Sequence, residues 1–216
     1  MKKFDLSFYL ILDPDLCGGT SGIIDTARAA LREGATFLQL RAPNWKKREM
    51  VECTRALMPI AREFGVPLVI DDHVDVALAG GADGVHVGQK DIDASDARRI
   101  LGPDAIVGLS IGSLEECATY DKEIVDYAGV GPVFGTRTKL DASPEIGCSM
   151  LSAVIQRLQA PVVAIGGINP SNASMPIKAG ADGVCVISAV CGQPDAAQAA
   201  RSLRAAIDAA RSELKQ

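Results

Sequence analysis

Short apolar runs alternate with longer amphipathic stretches along nearly the whole chain. Eight apolar runs are typical of buried strands, and they lie at residues 8–13, 37–41, 67–72, 84–89, 106–110, 127–133, 161–167 and 183–188. Helical periodicity follows them, near residues 20–33, 46–64, 74–80, 93–101, 113–122, 149–159, 170–180 and 194–213. Eight strand–helix repeats predict an α/β fold with a parallel sheet, and eight strands close a (β/α)₈ TIM barrel. A doubly wound open sheet is the structural alternative.

An internal repeat supports the barrel. Gly-Ala followed by Thr or Asp directly precedes three predicted strands, in the segments GATFLQL (34–40), GADGVHV (81–87) and GADGVCV (180–186). Gly is favoured just after a helix, where a left-handed backbone carries no steric penalty, so the same helix-to-strand joint is expected three times. No Pro- or Ser-rich linker interrupts the pattern, and we expect one domain over residues 1–216.

Composition excludes several classes of partner. A net charge of −5 argues against a surface that binds nucleic acid or an anionic membrane, whereas local cations can still bind small phosphorylated molecules. No apolar run reaches the roughly 18 residues that a membrane span needs. Aromatic residues make up only 4% of the chain, which predicts a core of Ala, Val, Ile and Leu.

The N-terminus and the cysteines indicate the compartment. The first apolar run is bracketed by Asp5 and Asp13 and lacks a small-residue cleavage site, so we expect a core strand there and not a signal peptide. Six cysteines with no C-x-x-C pair and no metal-ligand spacing are typical of a reducing environment. We therefore expect a cytoplasmic protein, and a homo-oligomer is compatible with the sequence.

Polar residues gather after the predicted strands, at the end of a barrel where active sites lie. Asp72 and Asp91 end two adjacent strands. Because Mg²⁺ takes one or two protein carboxylates together with water and substrate phosphate, this pair predicts a magnesium site. The alternative is that both residues cap the helices that follow.

Three loops are candidates for binding phosphate. The segment GVGPVFGTRTK (129–139) changes from an apolar run to hydroxyls and cations within a few residues. The segments IGGINPSNA (165–173) and VISAV (186–190) follow strands 7 and 8, where backbone N–H groups commonly bind phosphate in such barrels. Plain tight turns are the structural alternative for each loop.

Covalent acyl chemistry has no support in the sequence. There is no nucleophile elbow and no Cys/His pair. His86 lies inside an apolar run, where we expect a hydrogen-bonded interior histidine and not a catalytic one.

Several strings occur together in the order found in one family. They are QLR (39–41), DDxVDVAL (71–78), GADGVHVGQxD (81–91), GLS (108–110), GPVFxTxTK (131–139), AIGGI (164–168) and AGADGVxVIS (179–188). With these strings the chain resembles thiamine phosphate synthases over nearly its whole length. The resemblance implies a (β/α)₈ barrel that joins 4-amino-2-methyl-5-hydroxymethylpyrimidine diphosphate to a thiazole phosphate and releases diphosphate.

The resemblance also implies roles for individual residues. In that family diphosphate departs with Mg²⁺ and the thiazole nitrogen captures a pyrimidine carbocation, so the site must stabilise leaving-group charge. The expected catalytic residues are Lys139, which would contact the diphosphate, Arg41 and Ser110. The remaining assignments are Gln39 with Arg41 for the pyrimidine diphosphate, Asp71 beside them, Ser110 near the pyrimidine, Asp72 and Asp91 for Mg²⁺, and Thr136, Thr138, Gly167, Ile187 and Ser188 for the thiazole phosphate.

The chain departs from the family at the expected diphosphate pocket. Pro43 stands where the family usually has Lys, and Asp71-Asp72-His73 replaces the usual Asn-Asp-Arg. Losing a cation and gaining an anion would weaken anion binding by about 1–3 kcal/mol. Lys46, Lys47 or an altered metal arrangement, with Asp71 as an extra ligand, would compensate.

Two competing functions use the same scaffold. A thiazole tautomerase resembles the synthase but carries a His in a Ser-x-His-Ser context, where this chain has Gly112 in SIGS. A non-catalytic binder of thiamine phosphate or phosphate would be explained by the same departures in the diphosphate pocket.

Overall fold

Eight parallel strands close into a barrel in the order of the sequence. The computed structural model describes residues 4–136 and 144–214. The strands are β1 (Phe8–Leu12), β2 (Phe37–Leu40), β3 (Leu68–Asp71), β4 (Gly84–Val87), β5 (Ile106–Ile111), β6 (Tyr127–Val130), β7 (Val162–Ile165) and β8 (Gly183–Val186). Tyr9 of β1 pairs with Cys185 of β8, which closes the sheet. The predicted TIM barrel is confirmed, and the open sheet is excluded.

The described helices surround the strands. They are α1 (Pro14–Cys17), α2 (Gly19–Arg32), α3 (Lys47–Glu63), α4 (Val74–Gly80), α5 (Ala94–Leu101), α6 (Gly147–Leu158), α7 (Ser174–Lys178) and α8 (Ala196–Glu213), with a 3₁₀-helix at Glu116–Thr119. Among the described residues, no helix is both long enough and apolar enough to cross a membrane.

The sequence-based helix near residues 113–122 is wrong. Only the short 3₁₀-helix forms there, and Tyr120 after it is extended. The chain then turns at Asp121, whose carboxylate accepts the N–H of Glu123. Conversely, the short α1 was not predicted, and Asp13 caps it by accepting the N–H groups of Asp15 and Leu16.

The core has two layers of different composition. Between strands and helices the packing is mainly aliphatic, as the sequence predicts. Inside the barrel, Tyr9, Phe37 and Tyr127 are added to the aliphatic side chains, and Phe4 packs against them. The Tyr9 and Phe37 rings have centroids 4.4 Å apart, and the Phe37 and Tyr127 rings 5.5 Å. Four of the nine aromatic residues of the chain therefore lie in or against the barrel interior.

The Gly-Ala-Thr/Asp joint has a structural purpose. The side chain of Asp83, directly before β4, accepts the N–H of Leu68 at the start of β3 at 2.8 Å. Its own N–H donates to the Leu68 carbonyl, also at 2.8 Å. Three further residues directly before even-numbered strands make the same two bonds to the preceding strand: Thr36, Asp126 and Asp182. The repeat therefore fixes strand register at the end of the barrel opposite the predicted site.

Candidate functional site

The alternation of side chains along the strands brings several predicted site residues to the mouth of the barrel interior. Gln39 is two residues beyond Phe37 on β2, Asp71 is two beyond Val69 on β3, and Ser110 is four beyond Ile106 on β5. Phe37, Val69 and Ile106 all belong to the interior cluster. Residues an even number apart share a face of a strand, so the polar residues lie above these apolar ones.

Arg41 is held between two carboxylates at this mouth. Its Nε lies 3.3 Å from Asp71 Oδ2, and its Nη1 lies 3.7 Å from Asp13 Oδ2. The side chains of Arg41, Asp71 and Asp13 are only 15%, 17% and 9% exposed, so water screens these pairs less than surface pairs. A guanidinium has five N–H donors, and Arg41 can therefore bind an anionic ligand while it stays paired. Its positive charge is nevertheless partly compensated.

A continuous set of side-chain hydrogen bonds crosses the barrel interior. Gln39 Nε2 donates to Tyr9 Oη at 2.7 Å, and Tyr9 Oη lies 2.8 Å from Tyr127 Oη. Tyr127 Oη lies 3.0 Å from His86 Nδ1, and His86 Nε2 lies 2.9 Å from Ser110 Oγ. We call these five residues the interior network. The prediction that His86 is a hydrogen-bonded interior histidine is confirmed.

Burial keeps the two tyrosines of the interior network neutral. Desolvation raises the pKa of Tyr9 well above its ordinary value, and the nearby Tyr127 hydroxyl adds to that effect. The pKa of Tyr127 is raised in the same direction, again mainly by desolvation. Both hydroxyls therefore remain protonated donors in the physiological range of pH.

The two predicted metal ligands do not cap the following helices. His73 occupies the N-cap of α4 and Asp93 that of α5. Asp72 has a left-handed backbone with φ of 58°, and its N–H donates to the His86 carbonyl at 2.8 Å. Asp is among the residues that tolerate this conformation best, but an outlier of this kind is often found at functional sites. Asp91 is exposed, and its Oδ2 accepts the Gly88 N–H at 2.8 Å.

The donor set suits Mg²⁺ that is shared with a substrate. Within residues 4–136 and 144–214 no group of three or more His, Cys, Asp or Glu side chains forms a metal cluster. Mg²⁺ sites commonly use one or two carboxylates and complete their octahedra with water and phosphate oxygens. Asp72 and Asp91 supply hard oxygen ligands of that kind, and their assignment to Mg²⁺ stays a prediction.

The backbone conformation and the close packing after β7 both require glycine at positions 166 and 167. Gly166 and Gly167 have φ of 101° and 62°. A Cβ on Gly166 would lie 2.5 Å from Pro132 Cα, and one on Gly167 would lie 2.6 Å from the Gly135 carbonyl oxygen. The loop after β6 therefore packs directly on the end of β7, and the Phe134 N–H donates to the Gly166 carbonyl at 3.1 Å. Two of the predicted phosphate loops thus lie against each other.

The third predicted phosphate loop begins at Ile187 and forms a tight turn. The Ile187 carbonyl accepts the N–H groups of Val190 and Cys191, and the exposed Ser188 follows it. Thr136 is half-buried at the last described position before residue 144. Thr138 and Lys139 lie outside the described residues, so their predicted roles remain predictions.

A cavity of about 630 Å³ opens at the other end of the barrel. Its lining includes Phe4, Val66, Asp83 and Ile106, which lie at or before the starts of strands. Arg62 and two acidic residues in the lining leave no concentration of positive charge for a phosphate. The chemistry-bearing residues gather at the opposite mouth, and we place the candidate site there.

Sequence reasoning missed three residues of the site. Asp13 directly follows β1, and the rule that polar residues after strands mark the site would have found it. Tyr9 and Tyr127 lie in strands that otherwise read as apolar core, and only their hydroxyl contacts show their place in the interior network. The sequence carries no signal that separates these two residues from tyrosines that only fill the core.

Comparisons with known proteins agree on one family. The family model described as thiamine monophosphate synthase matches residues 8–190. The chain is 48% identical to a thiamine-phosphate synthase of Laribacter hongkongensis over 94% of this chain and 96% of the relative. It is 48% identical to that of Xanthobacter autotrophicus over 97% and 99% of the two chains. A solved thiamine phosphate pyrophosphorylase from Pyrococcus furiosus superposes with a TM-score of 0.85 and 39% identity, over 95% of this chain and 96% of that one.

Proposed function

The chain belongs to the thiamine monophosphate synthase family, and we propose that it condenses 4-amino-2-methyl-5-hydroxymethylpyrimidine diphosphate with a thiazole phosphate. It is a transferase of thiamine biosynthesis, in line with its relatives. The products would be thiamine phosphate and diphosphate. The observation that carries the proposal is that Gln39, Arg41 and Ser110 converge on one mouth of the barrel within contacts of 3.3 Å or less to their neighbours.

The site is suited to binding charge that develops on a leaving diphosphate. Arg41 provides a fixed, poorly exposed cation, and its two carboxylate partners hold the guanidinium in one place. A cation that is already oriented needs no reorganisation when negative charge grows on the departing group. Mg²⁺ held by Asp72 and Asp91 would neutralise further charge on the same diphosphate.

The neutral end of the site is suited to a heteroaromatic ring. Ser110 and Gln39 are polar groups at the rim of an interior filled by Tyr9, Phe37 and Tyr127. Apolar walls with a few placed hydrogen-bonding groups are the usual composition of a site for a small planar ligand. We assign the pyrimidine to this part of the mouth and the thiazole phosphate to the loops after β6, β7 and β8.

This chain lacks the histidine that the tautomerase alternative requires. The N–H of Gly112 donates to Glu116 Oε2 at 2.6 Å, and no imidazole stands at this position. The binder alternative is favoured by one observation, since Asp71 compensates part of the charge on Arg41.

One incubation separates these functions. The protein is mixed with the pyrimidine diphosphate, thiazole phosphate and Mg²⁺, and thiamine phosphate is measured. Multiple turnovers are expected. Binding of both substrates without product would support the binder, and isomerisation of a thiazole carboxylate phosphate without condensation would support the tautomerase. An Arg41→Gln variant serves as the control for contaminating synthase, because its turnover should be strongly reduced.

A further inference from the structure

The interior network has its direction fixed at one end. The Nε2 of Gln39 belongs to an amide NH₂ group, which donates and does not accept, so Tyr9 Oη is the acceptor of that bond. Within residues 4–136 and 144–214 the Tyr9 hydroxyl has one other partner, Tyr127 Oη. Tyr9 is 1% exposed, so a hydroxyl hydrogen that did not point to Tyr127 would be buried without an acceptor. An unpaired buried donor is costly, and Tyr9 therefore donates to Tyr127.

The same reasoning passes along the network to Ser110. Tyr127 is fully buried and accepts from Tyr9, so its hydrogen goes to its remaining partner, His86 Nδ1. A histidine nitrogen that accepts carries no hydrogen, which leaves the hydrogen of the neutral ring on Nε2. Nε2 then donates to Ser110 Oγ. Ser110 is half-buried, and its own hydrogen has no acceptor among the described residues.

We infer that the interior network has a single proton order, and that this order makes Ser110 a hydrogen-bond donor towards the barrel mouth. Tyr9, Tyr127 and His86 are positioning residues in this view. The ligand atom that receives the Ser110 hydrogen is then an acceptor, such as a pyrimidine ring nitrogen. The proton order stands on geometry alone, whereas its consequence for substrate binding rests on the proposed function.

The order also excludes a second use of the Ser110–His86 pair. A serine 2.9 Å from a histidine nitrogen resembles a nucleophile with its general base. A base must accept the serine proton, but here Nε2 already carries a hydrogen. In addition, Nδ1 is occupied by its hydrogen bond from the Tyr127 hydroxyl. Ser110 is therefore a recognition group.

The neighbouring strands are shaped for this network. A Cβ on Gly108 of β5 would lie 2.3 Å from Tyr127 Cζ and 2.4 Å from His86 Nδ1. A Cβ on Gly129 of β6 would lie 2.9 Å from His86 Cε1. Any other residue at Gly108 would displace both rings, so these glycines provide the space in which the hydrogen bonds form.

Nuclear magnetic resonance of histidine tests the proton order without any substrate. The chain has two histidines, so ¹⁵N-histidine labelling with a His73→Gln variant leaves His86 alone to be observed. At neutral pH we expect a protonated, pyrrole-type Nε2 and an unprotonated, pyridine-type Nδ1. A hydrogen on Nδ1, or a doubly protonated ring, would overturn the inference.

Tyr127→Phe tests the consequence, with Tyr120→Phe as its matched control. Both changes remove one phenol donor, but Tyr120 donates to the Val125 carbonyl outside the barrel interior. Tyr127→Phe should allow the second tautomer of His86 to form and raise the KM for the pyrimidine diphosphate about fivefold or more. The KM for thiazole phosphate should stay within twofold. Unchanged tautomer and KM values in Tyr127→Phe would contradict the inference.

A pair of variants at His86 provides a rescue test. The amide of His86→Gln can accept from Tyr127 and donate to Ser110, whereas His86→Leu can do neither. We expect His86→Gln to keep the KM for the pyrimidine diphosphate several-fold below that of His86→Leu. Equal KM values would show that the order of protons does not matter. If the wild-type protein formed no thiamine phosphate, the proposed function would fail, and the nuclear magnetic resonance result would still decide the proton order.

Discussion

Replacing Asp71 with Asn removes one negative charge from the carboxylate pair around Arg41. Asp71 Oδ2 lies 3.3 Å from Arg41 Nε, and an Asn side chain of nearly the same shape keeps a polar oxygen at this place without the negative charge. Asp13, 3.7 Å from Arg41 Nη1, remains to hold the guanidinium. The substitution therefore tests charge with little change in the position of Arg41.

The expected magnitude follows from the distances. A phosphate bound on the far side of the guanidinium would lie about 8 Å from the Asp71 carboxylate. With an effective dielectric constant of about 20–40 for this partly buried position, the repulsion is about 1–2 kcal/mol per phosphate charge. Removing it should lower the KM for the pyrimidine diphosphate about 5- to 30-fold, because about 1.4 kcal/mol corresponds to a factor of ten.

The assay is a KM measurement for each substrate with the other saturating. The KM for thiazole phosphate should change little, and the advantage of Asp71→Asn should shrink at high salt, since screening weakens the repulsion that it removes. Asp208→Asn is the control, because Asp208 pairs with Arg204 on the outer helix α8. A higher KM for the diphosphate, or a loss of turnover that added Mg²⁺ restores, would refute the reasoning and identify Asp71 as a metal ligand.

Three further outcomes are expected. Asp83→Ala should lower the free energy of unfolding by roughly 1–3 kcal/mol and the Tm by several degrees in thermal denaturation, because the N–H of Leu68 loses its acceptor. Asp83→Asn should keep most of this stability, and turnover per folded molecule should be unchanged in both variants. Asp91→Ala should strongly reduce turnover per folded molecule while the Tm changes little. A loss of activity that is explained by the loss of folded protein would show that Asp91 only holds its loop. The neighbouring Cys191 side chain lowers the pKa of the Cys17 thiol below its ordinary value. Iodoacetamide should therefore alkylate Cys17 fastest among the six cysteines, and a Cys17→Ser variant should lack this fast phase. Because the folded-state pKa of Cys17 is depressed, its contribution to stability should be full above the ordinary thiol pKa and should be lost as the pH falls through the folded-state pKa. An alkylation rate of Cys17 that equals that of the other cysteines below the ordinary thiol pKa would contradict the assignment.

The fold could be predicted from the sequence because it depends on local periodicity. Each apolar run and each amphipathic stretch carries its own signal, and eight repeats leave few arrangements. The failures were also local in origin. Near residues 113–122 the spacing of apolar residues indicated a helix, but the backbone is extended at Tyr120 and the Asp121 carboxylate accepts the N–H of Glu123 in a turn.

The site could be predicted only in part, since its contacts join residues far apart in the chain. The sequence placed Arg41 and Asp71 at the ends of neighbouring strands and so predicted that both lie at one mouth of the barrel. Their ion pair, however, depends on the register of β2 and β3. The link from Tyr9 to Tyr127 spans 118 residues and crosses the barrel interior. Neither strand carries a pattern that distinguishes a hydrogen-bonded tyrosine from one that merely fills space.

The central claim is that this barrel mouth transfers a pyrimidine from diphosphate to a thiazole phosphate. The most direct measurement follows thiamine phosphate and free diphosphate together in one reaction with Mg²⁺ and both substrates. The account predicts equal amounts of the two products over many turnovers, and a strong loss of both in Arg41→Gln. Diphosphate released without thiamine phosphate, or neither product from folded protein with bound substrates, would contradict it.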